Sequence, residues 1–216
     1  MKIVVPIILI GLLAFSCADK PKQDKTNYFE GNIKYKSEYI RKTERFSPEY
    51  LDKIVGTSAD LYFKEGNYFQ KYDYGFALEE LFRKEDNKYY LRKHYSDTLF
   101  WRDCGKPYEK ISKYEIHPKK EKILGITCDE YVVYYKNKII TYYYNSDTLK
   151  INPEWYAKFT YMNKSISVER MKALYLRFKI EYKDFIFMAT ATAINPGKIN
   201  DKIFEIKPST VLVEDN

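Results

Sequence analysis

Two histidines and three cysteines are the side chains with the widest chemical repertoire in this 216-residue chain. His94 and His117 fall on separate predicted strands, with no acidic or cysteine neighbour at metal-ligand spacing. Each reads as a surface or strand-end residue, and no metal site is expected. No G-x-S-x-G, H-E-x-x-H or phosphate-cradling glycine loop occurs. Glu79 and Glu80 are adjacent carboxylates, but successive residues of a strand point to opposite faces. They cannot flank one substrate atom, and the pair reads as solvated. With neither a catalytic constellation nor a cofactor motif, the chain is expected not to be an enzyme.

The cysteines divide by position. Residues 1–17 read MKIVVPIILIGLLAFSC, where Lys2 precedes an apolar run of 13 residues and Ser16 stands directly before Cys17. That run is shorter than the roughly 20 residues a membrane-spanning helix needs, and it suits the core of a cleaved signal peptide. A cysteine directly after such a core resembles the lipobox of bacterial lipoproteins. Ser16 is the small residue it requires, while Ala14 and Phe15 depart from the usual pattern. The expectation is a signal peptide over 1–16 and a diacylated Cys17 that anchors the chain to a membrane. Cys104 and Cys128 remain. In an oxidising envelope compartment they either pair, closing a loop worth roughly 3 kcal/mol, or stay as two buried thiols on different strands.

The elements that position these residues are mostly strands. Tyr and Phe number 23 and 13, against only 8 Gly and 8 Pro, a bias towards strand formers. In FEGNIKYKSEYI, Phe29, Ile33, Tyr35 and Tyr39 share one face while Glu30, Asn32, Lys34, Lys36 and Glu38 share the other. Further strand runs follow, including EKISKYEI at 109–116, LYLRFKIEY at 174–182, FIFMATATAI at 185–194 and KIFEI at 202–206. Ser47-Pro48-Glu49 signals a short helix closed by Gly56, and Asn152-Pro153-Glu154 signals a second carrying Trp155 and Tyr156. The reading is a mainly β chain of about ten strands in one curved, mostly antiparallel sheet with one to three short helices. A polar tether covers 17–27, a single domain 28–208 and a polar tail 209–216.

Charge and aromatic patterning constrain partners. Lys and Arg total 37 against 30 acidic residues, a formal net charge of +7. The basic residues are spread, no arginine-rich or RNA-binding signature appears, and nucleic acid is not an expected partner. Lysines on solvent faces protect sheet edges, and anionic lipid headgroups are the most reasonable partner for any excess. Runs such as YVVYY and TYYY put rings on both faces of the sheet. A concave aromatic face needs a cover, either the chain's own helices or a guest.

Several segments, taken in order, resemble a group of envelope proteins of Bacteroidetes-type bacteria related to the lipoprotein-sorting (LolA/LolB-like) fold. FEGNIKYKSEY is similar to their first strand. ILGITCDEY at 123–131 is similar to their Ile-Leu-Gly-x-x-Cys segment. ATATAINPGKINDKIFEIKP at 189–208 is similar to their closing pattern, with Lys207 inserted between Ile206 and Pro208. The resemblance implies a half-open antiparallel β-barrel wrapped around short helices, with a hydrophobic cavity that receives acyl chains. Gly125 and Cys128 match as structural positions, and no binding residue carries over. The function expected is an outer-membrane lipoprotein that binds a lipid, an acyl chain of another lipoprotein or another hydrophobic ligand. A surface glycan-binding or interaction module, or a purely structural lipoprotein, is the alternative.

Overall fold

The computed structural model describes residues 27–107 and 109–215. The proposed signal peptide, Cys17 and the tether up to residue 26 lie outside them. In chain order the elements are β1 (Gly31–Arg41), α1 (Pro48–Val55), β2 (Ser58–Lys64), β3 (Asn67–Tyr72), β4 (Ala77–Arg83), β5 (Lys88–Lys93) and β6 (Leu99–Asp103). They continue with β7 (Lys113–Ile123), β8 (Ile126–Tyr134), β9 (Ile139–Tyr144), α2 (Lys164–Met171), β10 (Tyr175–Glu181), β11 (Phe185–Pro196) and β12 (Leu212–Glu214). All twelve strands form one sheet in the order β12-β6-β5-β4-β3-β2-β1-β11-β10-β9-β8-β7. It curves without closing into a barrel, and 49% of the chain is strand against 14% helix.

Short turns join β2 to β3, β3 to β4, β4 to β5, β7 to β8, β8 to β9 and β10 to β11, while α1 lies between β1 and β2. Strand β1 pairs with β11 from Gly31↔Pro196 to Arg41↔Phe185. That long-range pair sits at the middle of the sheet and joins its two halves. The alternation read in β1 holds: Ile33 and Tyr35 are buried while Lys34 and Lys36 are not. The β2–β3 turn places Gly66 at φ +90°, and a Cβ there would lie 2.6 Å from Trp155 Cβ. Only glycine meets both demands.

The β9–β10 connection, residues 145–174, crosses the concave face and plugs part of it. Its 3₁₀ turn Pro153–Tyr156 is capped by Asn152, as the sequence suggests. Tyr156 and Phe159 pack on Phe82 with ring centroids 5.4 and 4.6 Å away. Leu149, Ile151 and Val168 join the same core, which draws on strands from both halves of the sheet. A second cluster sets Met171 and Ala173 on Tyr131, Tyr142 and Tyr144. A third lies on the other face, where Phe204 covers Leu81 and Tyr90.

Three expectations change. KIFEI is not a strand: Asn200 caps Lys202 N, and Asp201–Phe204 is a 3₁₀ turn that buries Phe204 on the sheet. The polar tail contributes β12, which runs parallel to β6 with Leu212 opposite Leu99 and covers an otherwise open edge. Asp215 is held there by the Arg102 guanidinium at 2.9 Å. Helix α2, not read from the sequence, completes the plug.

Cys104 and Cys128 are both buried and unbonded to one another. Cys104 follows β6 and Cys128 lies on β8, towards opposite ends of the strand order. Thr160 and Tyr161 of the plug donate to the Cys104 carbonyl at 2.8 and 2.9 Å. Each thiol packs into the shared core as a small apolar group.

Candidate functional site

The plug leaves part of the concave face uncovered. There, a cavity of about 340 Å³ is walled by Ser37 of β1, Tyr68, Gln70 and Tyr72 of β3, Glu80 of β4, Tyr89 of β5 and Tyr142 of β9. Tyr175, Phe178 and Ile180 of β10, Phe187 and Ala189 of β11, and Phe159, Met162 and Lys164 of the plug complete it. Strand alternation puts 68, 70 and 72 on one face, and Gln70 pairs directly with Glu80 across β3 and β4. Beside it lies an apolar pocket of about 230 Å³ that shares Tyr72, Ile180 and Phe187 with the cavity. Its outer wall is Ile54, Val55, Tyr74, Phe76, Tyr182 and Phe185.

Helix α1 sets that outer wall. Ser47 caps it by accepting from Tyr50 N, and Gly56 ends it at φ +70°. A Cβ on Gly56 would meet the Tyr74 carbonyl oxygen at 2.3 Å, so glycine lets the helix end close on the β3–β4 turn. Phe76 N donates to Ile54 O at 3.2 Å, and the Tyr39 hydroxyl donates to Asp52 at 2.8 Å. Phe76 remains 55% exposed, an apolar ring at the entrance.

Two charges sit within the aromatic walls. Burial pushes the Glu80 carboxyl up, opposed by the hydroxyls of Tyr89 and Tyr72 and by the Lys164 charge, which favour its ionised form. Burial pulls the Lys164 ammonium down to about 8, opposed by attraction to Glu80. The Lys164 Nζ lies 5.8 and 6.0 Å from the ring centroids of Tyr156 and Tyr175. Burial and then the Glu80 charge hold the Tyr68, Tyr72 and Tyr89 hydroxyls well above their ordinary range. They stay protonated donors across physiological pH. The arrangement is a polar cluster inside an apolar cavity.

The sequence matches no protein-family model and no curated protein. Among solved structures, the chain is similar to PNGF-II in two crystal forms, at 12% identity and TM-scores of 0.47 and 0.45. The match covers 87% of this chain and 31% of PNGF-II. It is also similar to LppX, a lipoprotein of Mycobacterium tuberculosis, at 11% identity and a TM-score of 0.34, over 79% of this chain and 89% of that one. Likenesses this distant carry no argument about function.

His94, His117 and Glu79 do not line the cavity. His117 Nδ1 is 2.8 Å from Glu130 and its Nε2 is 3.6 Å from Glu115. The β7–β8 register brings Glu130 opposite His117, whereas Glu115 precedes it by two residues on the same strand and so was an acidic neighbour already present in the sequence. Among the described residues no group of three or more His, Cys, Asp and Glu is placed to hold a metal. The His94 ring lies between Tyr74 and Tyr95, with centroids 5.0 and 3.6 Å away. Glu79 and Glu80 do point to opposite sides: Glu79 accepts from Arg92 at 2.7 Å, whereas Glu80 enters the cavity rather than solvent. One signal for this was available in ALEELFRK, where Leu78, Glu80 and Phe82 share a face. Lys164 gave none.

Proposed function

We propose that this chain is a membrane-anchored, non-enzymatic envelope lipoprotein of the LolA/LolB-like kind that holds a hydrophobic ligand in the concave cavity. One observation carries the reading. The plug fills only part of the concave face and leaves an aromatic and aliphatic cavity adjoining an apolar pocket at the entrance. A volume near 340 Å³ falls within the range of small-molecule sites, and a chain built only to support an envelope would gain stability by filling it. The glycan-binding alternative draws less support. Trp155 is packed against Gly66 and Phe63, and Trp101 is covered by the Lys88 ammonium at 3.8 Å. Neither ring is a free stacking platform.

Lipidation of Cys17 after removal of residues 1–16 would place the cavity at the outer membrane. Native mass spectrometry of protein extracted from membranes tests the binding. The expected spectrum contains a non-covalent adduct of lipid mass that organic extraction removes. A spectrum of bare protein, together with no uptake of added single-chain lipid, counts against the reading.

A further inference from the structure

The cavity lining sets one basic side chain, Lys164, among aromatic and aliphatic walls, and that placement points to a ligand class. Glu80 stands beside Tyr72 and Tyr89, whose hydroxyls favour its ionised form. The Lys164 ammonium has rings beneath it and the Glu80 field nearby, yet among the described residues it makes no ion pair and no hydrogen bond. A half-buried ammonium is costly to keep without an anion in contact. The group left to be satisfied is therefore a cation facing a cavity large enough for a guest.

The apolar walls say what the rest of the guest is. Along β4, Glu80 lies three residues from Ala77, which lines the entrance pocket, a distance of about 10 Å at strand rise. Between the charges and the entrance stand Tyr72, Ile180 and Phe187, which belong to both spaces. The path runs from charged to apolar over a length that suits one alkyl chain. Its volume lies at the small end of ligand sites, which disfavours lipids with two or three chains.

We propose that the cavity binds a single-chain amphiphile with a compact anionic head, a carboxylate or a phosphate, with the head against Lys164 and the tail running towards the pocket under α1. This rests on the reading that the cavity takes an apolar ligand, and adds the head chemistry and its residue. The tyrosine hydroxyls around Glu80 supply further donors to an anionic oxygen. Glu80 itself restrains the affinity by repulsion, so a neutral glutamine there strengthens binding.

The test uses the chain from residue 17 onward carrying Cys17→Ser, so that no detergent is needed. Dodecanoate, dodecyl phosphate and uncharged dodecanol compete at pH 7 against the neutral probe N-phenyl-1-naphthylamine. A charge-assisted contact at a partly desolvated lysine predicts that the anions outcompete the alcohol by about ten-fold or more. The stronger of the two anions identifies the head. Lys164→Met should erase the preference, Lys164→Arg should keep most of it, and Glu80→Gln should enlarge it. Equal competition by dodecanol and the anions, or a preference that survives Lys164→Met, overturns the assignment of an anionic head while leaving apolar binding intact. Should none of the three displace the probe, apolar binding and the head assignment both fail. If Lys164→Met does not fold, the Glu80→Gln arm decides: an unchanged preference overturns the proposal.

Discussion

Replacing Lys164 with methionine should make the protein more stable at pH 7 and give a smaller gain at pH 9. Methionine keeps the apolar stem that packs over the tyrosine rings and removes only the charge. The ammonium falls from an ordinary 10.5 to about 8 because burial disfavours its charged form, after the attraction of Glu80 has offset part of that cost. At 1.36 kcal/mol per unit, keeping it charged at pH 7 costs up to roughly 3 kcal/mol, and residual solvent contact reduces this to about 1–2 kcal/mol. Between about 8 and 10.5 the unfolded chain holds a proton that the folded chain has released. Stability from this group therefore rises with pH across that window, and below it the cost is constant. The advantage of Lys164→Met should shrink by about 1 kcal/mol between pH 7 and pH 9. Urea unfolding followed by circular dichroism at the two pH values measures it, and the tyrosines, common to both proteins, cancel in the difference. A variant that is less stable than the parent at both pH values, with no change in the difference, would refute the reasoning and return Lys164 to the role of a solvated side chain.

Other expectations concern the anchor, the thiols and the plug. Cys17→Ser should abolish acyl labelling and move the protein from the membrane to the soluble envelope fraction; a variant that stays membrane-bound contradicts the lipoprotein assignment. With Cys17 replaced, the folded chain should resist alkylation, because burial pushes the Cys104 thiol up to about 12 and raises that of Cys128. Urea without reductant should then expose both thiols, and finding neither would restore the disulfide. Gly66→Ala should cost ~2–3 kcal/mol, since it combines a φ of +90° with a 2.6 Å approach to Trp155 Cβ. That corresponds to a fall in Tm of roughly 5–10 °C for a domain of this size, and a change within error would show that the plug yields easily.

The sheet was legible because its signal is period two. Inward Ile33 and Tyr35 and outward Lys34 and Lys36 in β1 follow directly from the order of residues, and the Ser47 cap with Gly56 marks α1 at both ends. What the sequence hid depends on tertiary contact. Helix α2 begins after Met162 and Asn163, both at positive φ, a conformation that asparagine tolerates but methionine does not favour. Its buried side chains are Ser167, Val168 and Met171, too few to show as a stripe. KIFEI is rich in strand-forming residues, yet Phe204 covers Leu81 and Tyr90 on the sheet instead of pairing at an edge. The tail carries only a three-residue strand, held by pairing with β6. The cavity was legible in outline, as rings on both faces that need a cover. Its charged interior was not, because Glu80 lies beside an ion-paired Glu79 and Lys164 sits in a segment whose path across the concave face is set by packing.

The central claim is that the concave cavity, rather than the outer surface, takes the ligand. Filling it tests this most directly. Ala189 lines the cavity and Ala77 the entrance pocket, so Ala189→Leu and Ala77→Phe each occupy space that an alkyl chain needs. Binding of N-phenyl-1-naphthylamine and its displacement by dodecanoate are measured on the parent and on each variant, with thermal unfolding to confirm the fold. Burying a few hundred Å² of apolar surface, less the cost of association, predicts displacement at about micromolar concentration for the parent. At least one folded variant should bind ten-fold or more weakly, about 1.4 kcal/mol. Folded variants that bind as the parent does would place the ligand elsewhere and contradict the account.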